Sequence, residues 1–132
     1  MKESNNFPPN FAQIKQHFDC DKFKPVFAWG SIIFNPYKQP IPIDIKIHEE
    51  VHSKQQANYT SPDIWWTKYI LDKSFRKEQE LEAYSTQYQW LKERIPEKGY
   101  SEALDDMANN LSLLYNLDIN VYQAKTLIRK YG

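Results

Sequence analysis

The apolar positions follow two rhythms. From Val26 to Phe34, "VFAWGSIIF" is a nearly continuous run of β-branched and aromatic residues that stops at an Asn35-Pro36 turn, so it predicts a strand. Gly30 inside the run points to a bulge or a close backbone approach. "IPIDIKI" alternates, which leads an extended segment into a helix from about Asp44 to Gln56. Beyond it the period lengthens to that of a helix. Ser61, Pro62 and Asp63 open one that runs to about Leu71, and a longer one spans about Ser74 to Ile95 before Pro96. Ser101 caps a third that carries Leu104, Met107, Ala108, Leu111, Leu114 and Tyr115, and Asn120 caps Val121 to Tyr131. Residues 11–18 form a short helix, and residues 1–10, with Asn5, Asn6, Pro8 and Pro9, read as a loose arm. One or two strands and four or five helices make an α+β fold with helix dominating, in a single domain 1–132 that closes on a helix pair, 101–132.

Composition narrows the function classes. Apolar residues make up 41% and aromatics 15% of the chain, too many for a disordered segment. Seventeen basic and 17 acidic residues cancel, which gives no electrostatic footprint for nucleic acid or an anionic membrane. The single cysteine, Cys20, excludes an internal disulfide and fits a reducing compartment. Neither a secretory h-region nor a membrane span stands out, so a cytoplasmic, soluble protein is expected.

Chemistry concentrates in "IKIHEEVHSKQQ". On a helix, His48 and His52 lie one turn apart on one face, where two imidazoles can converge on a tetrahedral ion. Glu49, next to the first histidine, can polarise a water held by that ion and take its proton. No histidine follows His52, and His17 sits upstream in a polar context, so a carboxylate from "KEQELEAY" should complete the set. Helical phase ranks the candidates. Glu80 lies about 60° from the centre of the stripe formed by Leu81, Tyr84, Tyr88, Leu91 and Ile95, Glu78 about 100° and Glu82 about 140°. Glu80 is therefore the first choice and Glu82 the second. Trp29, Gly30, Gln55 and Tyr84 are candidates for substrate contact. Arg76 is a candidate partner for a carboxylate such as Glu80, and Tyr84 or Tyr59 for a developing oxyanion.

"HEEVHSKQQ" followed by "QELEAY" resembles the gluzincin arrangement, in which a glutamate from a second helix completes an HExxH zinc site. Tyr84 stands where those families often carry aspartate. Together with "FAWGSIIFNP", "SFRKEQELEAYSTQY" and "LSLLYNLDI", the pattern is similar to small phage-type zincin-like peptidases over residues 26–128. That resemblance implies Zn²⁺ on His48, His52 and Glu80, Glu49 as general base, and a small β element beside the HExxH helix that holds a peptide or protein substrate by main-chain pairing. It also admits a virion-associated protein. The competing expectation is a zincin-like scaffold whose metal only ties two helices together. The C-terminal helix pair is expected to act as a lid against the zinc-site helices.

Overall fold

The computed structural model describes residues 1–131. Among these, the chain forms β1 (Lys2–Ser4), α1 (Phe11–Ile14), α2 (Cys20–Phe23), β2 (Phe27–Trp29), β3 (Ile32–Phe34), α3 (Ile43–Gln56), α4 (Pro62–Leu71), α5 (Lys73–Lys92), α6 (Glu97–Leu114) and α7 (Val121–Lys130). This is the expected helix-dominated α+β architecture, with more elements than the sequence reading counted.

Three differences have physical causes. The run from Val26 to Phe34 is a hairpin, not one strand: β2 and β3 pair antiparallel, with Trp29 opposite Ile32. Gly30 occupies the first central position of the two-residue turn with φ +60°, the pattern of a type II′ hairpin. A side chain there would meet only Pro62 Cγ at 3.6 Å, so backbone conformation demands the glycine and space does not. Secondly, the "loose arm" contains β1, which pairs parallel with β3 and makes it the central strand. Lys2 and Glu3 are exposed polar residues with no apolar signature, and only the neighbouring strand orders them. Thirdly, α6 begins at Glu97 with Pro96 at its N-cap, which leaves Ser101 inside the helix. The preset φ of Pro96 starts the helix a turn before the hydroxyl could.

The helix expected over 11–18 covers only Phe11–Ile14, and α2 was not expected; the boundaries of α3, α4, α5 and α7 sit close to expectation. Asp72 caps α5 by accepting the Phe75 N–H at 3.0 Å, and Asn120 with Gln123 forms a full capping box on α7. Two apolar clusters organise the molecule. One joins α5, α6 and α7 around Leu111, Ala124 and Ile128. The other gathers Ile14, Cys20, Phe27, Trp65, Trp66 and Tyr69 beneath the sheet and α4. Between them α3 lies along α5, and that contact brings the two motif segments together.

Candidate metal centre

His48 and His52 project from α3 towards α5, and Glu80 projects back from α5. One ligand atom from each lies within 4.8 Å of the other two, and all three side chains are buried. His48 Nε2 and His52 Nε2 stand 3.1 and 3.2 Å from the Glu80 carboxylate. A tetrahedral ion with bonds of about 2.0–2.1 Å holds neighbouring ligand atoms about 3.3 Å apart, so these separations suit one ion bound by all three.

The outer hydrogen bonds decide which atoms face inward. His48 Nδ1 donates to Gln87 Oε1 at 3.1 Å, and His52 Nδ1 donates to Gln55 Oε1 at 2.8 Å. Both amides are oriented by their other ends. Gln87 Nε2 donates to Asp44 at 2.8 Å, while Gln55 Nε2 donates to the Gln79 carbonyl at 3.1 Å and to Glu82 at 3.2 Å. With both Nδ1 atoms protonated, both Nε2 lone pairs point at a carboxylate. Three acceptors facing one another require a cation or a proton between them. Tyr69 Oη donates to Glu80 Oε2 at 2.5 Å and orients the carboxylate. The donor set thus fits a divalent metal held through two Nε2 atoms and one carboxylate.

Without a metal, a proton fills this role. Burial alone would lower the pKa of His52, but the adjacent Glu80 carboxylate outweighs it and raises it to about 9. Burial would raise Glu80, yet His52 and His48 pull its carboxyl far below the usual carboxylate range. Glu49 is also buried, and burial raises its pKa against the pull of His52 and His48, with the Ala28 backbone N–H bonded to its carboxylate. A carboxyl with a raised pKa beside a cation site suits proton transfer.

His48, Glu49, His52 and Glu80 share a cavity of about 80 Å³ with Tyr69 and Tyr115. The residues expected to contact substrate are not in its walls. Trp29 Nε1 donates to Asp63 at 3.2 Å and ties β2 to α4. Gly30 gives its N–H to Gln56 Oε1 at 2.7 Å. Gln55 is the partner of His52. Tyr84 packs edge-on to the His48 ring at 4.3 Å and shares a 2.6 Å hydrogen bond with Tyr115 Oη. Tyr59 packs on Phe75 instead of facing the cavity. Nor does Arg76 pair with Glu80: its guanidinium donates to the carbonyls of Tyr69, Ile70, Tyr115 and Asn116, at the C-terminal ends of α4 and α6. Glu82 is exposed, as its phase required.

Main-chain pairing of a substrate with β2 is blocked. Ala28 is the β2 residue whose polar groups face away from β3. Its N–H faces the Glu49 carboxylate, and its carbonyl accepts from Gln56 Nε2 at 2.8 Å and Trp66 Nε1 at 3.0 Å. The helix pair α6–α7 packs along α5, and its link reaches the cavity through Leu114 and Tyr115.

Sequence reasoning missed Gln87, Tyr115 and the bond to Glu80 from Tyr69, one of the Trp65–Tyr69 aromatics expected as core packing or cleft lining. Gln87 had a signal, since it follows Glu80 by seven residues, two turns along the same face. The two tyrosines come from other elements and had none. Compared with protein-family models, curated proteins and solved structures, the chain finds no match. No helix among the described residues is long and apolar enough to cross a membrane.

Proposed function

We propose that the chain is a zinc-dependent hydrolase acting on peptide bonds, similar in its site to the gluzincin peptidases. The observation that carries this reading is the convergence of His48 Nε2, His52 Nε2 and Glu80 beside a buried Glu49 in one cavity. Three protein ligands are the set of catalytic sites, whereas structural zinc sites close with four.

When bound, zinc would act as a Lewis acid on a carbonyl oxygen and lower the pKa of water. The protein supplies the rest. Gln55 and Gln87 hold the imidazoles in the ligating tautomer, and the Tyr69 hydroxyl orients the Glu80 carboxylate through Oε2. Glu49 accepts the proton of the attacking water and returns it to the leaving amine, a transfer its raised pKa favours. The Tyr115 hydroxyl, backed by Tyr84, lines the cavity and donates to the oxygen that gains charge.

The second reading, a scaffold whose metal only joins α3 to α5, draws support from the burial of the whole cluster. Glu49→Gln separates the two. In the hydrolase it retains zinc and lowers peptide turnover by about 10²–10⁴-fold. Equal turnover by wild type and variant, measured on denatured protein and peptide substrates with zinc content checked by native mass spectrometry, would remove the hydrolase reading.

A further inference from the structure

As it stands, the cavity is too small and its ligands too buried to admit a peptide. His48, Glu49, His52 and Glu80 are 5%, 7%, 5% and 2% exposed, and about 80 Å³ holds a few waters but no peptide. What closes it is the segment before β2. Ile14, Phe18, Cys20 and Phe23 line the cavity together with the metal ligands.

That segment is a loop with both ends on one rung of the sheet. Ser4 and Phe27 are both partners of Phe34, one from each side. Its ends therefore stand about 10 Å apart, two strand spacings of about 4.8 Å, so residues 5–26 leave and rejoin the sheet side by side. Inside it, α1 and α2 are single turns of four residues, too short to persist alone. The backbone hydrogen bonds from Pro8 to Lys24 are local turns. A side-chain bond crosses to the body, from Asn116 Nδ2 to the His17 carbonyl at 2.9 Å, and Phe18 lies under the Arg76 guanidinium at 5.7 Å. Apolar side chains hold the loop shut, and no ladder ties its middle.

We propose that residues 5–26 form a strap over the metal cavity, hinged at Ser4 and Phe27 and latched by Asn116, which must lift for anything larger than water to reach the metal ligands. Its purpose rests on the hydrolase reading, but its motion can be measured without turnover. Burying Ile14 and Cys20 makes the closed form the resting state. Opening breaks few polar contacts and leaves α3 to α7 intact, so it is a local fluctuation whose cost is the exposure of Ile14, Cys20 and the aromatic side chains they pack against.

Cys20 is the chain's single cysteine, so it reports the motion alone. Closed, it is 4% exposed, and burial, then Asp21 and Asp19, raise its pKa to about 11. The test is N-ethylmaleimide labelling of the full-length, zinc-loaded protein along a urea series, followed by intact mass. The strap predicts a labelling rate nearly independent of urea at low concentration, with a steep global branch only at high urea. Asn116→Gly keeps the left-handed backbone at φ +54° and removes the latch. It should raise the low-urea rate, and the rate of zinc loss to EDTA, by about five- to tenfold, the weight of one hydrogen bond. Labelling that follows global unfolding from zero urea would overturn the strap. So would an unchanged rate in Asn116→Gly, or faster labelling without faster zinc loss. Labelling and zinc loss that behave as stated in a protein without turnover would count against the hydrolase reading alone.

Discussion

The two halves of the molecule exclude water equally well and use the interior differently. The cluster of α5, α6 and α7 is apolar throughout, and no buried polar side chain occurs after Gln87 among the described residues. The half built from the sheet, α3, α4 and α5 as far as Gln87 buries three glutamines, two glutamates, two histidines and an arginine. Burying such groups is unfavourable by several kcal/mol each unless partners satisfy them. Here each has a partner on another element, from Gln56 on the β2 edge to Arg76 on the ends of α4 and α6. Apolar packing tolerates approximate fit, whereas a polar network must close at every atom. The first half stores stability, and the second holds a set of charges in register.

A pair of substitutions should pull these roles apart. Glu80→Gln removes the ligand charge and should abolish stoichiometric zinc binding in native mass spectrometry while the chain still folds. Leu111→Ala, at a fully buried position, should destabilise the fold by about 2–5 kcal/mol in urea melts and leave zinc stoichiometry intact. If Leu111→Ala lost zinc in the folded state, the halves would not be separable.

A smaller effect tests the supporting shell. Gln87→Leu frees His48 Nδ1 and should weaken zinc about 10–100-fold in a chelator competition, whereas Glu82→Gln should change it little. Equal effects would mean that tautomer control by Gln87 is not what orients His48.

The smallest effect is in the pH dependence of the metal-free protein. The raised pKa of His52 contributes stability fully present below its unfolded value of about 6.5 and lost as pH rises through about 9. The lowered pKa of Glu80 contributes stability present above its unfolded value and lost as pH falls. Metal-free melting should therefore be highest in mildly acidic buffer and decline towards pH 9. Zinc displaces the proton, so its apparent affinity should rise over the same interval. A flat melting profile from pH 6 to 9 would contradict the assigned imidazolium.

The same contrast explains what the sequence revealed. α6 and α7 were legible because Leu104, Met107, Leu111 and Ile128 recur at helical spacing and Asn120 caps what it precedes. His48, His52 and Glu80 were legible because the spacing constraint acts within one helix and Glu80 borders an apolar stripe. The strand β1 was not, because Lys2–Ser4 owes its conformation to Ile32–Phe34, nearly thirty residues away. Tyr69 and Tyr115 were not, because their roles come from positions in other elements and no local pattern marks a tyrosine for them. For Trp29 and Gly30 the local signal was real, but it marked a turn and a tie to α4, not a cleft.

The shared rung at Phe34 also sets an order of assembly. Hairpin β2–β3 closes a two-residue turn, while β1 must close a long loop before it can pair, and loop-closure entropy delays such contacts. A refolding chain therefore forms the hairpin before residues 5–26 are fastened at both ends, and until they are the ligands meet solvent. If zinc binds as proposed, its capture during refolding should be quick and its exchange from the finished protein slow. In stopped-flow refolding, tryptophan burial should precede protection of Cys20, and zinc added after that protection should enter more slowly than zinc present from the start.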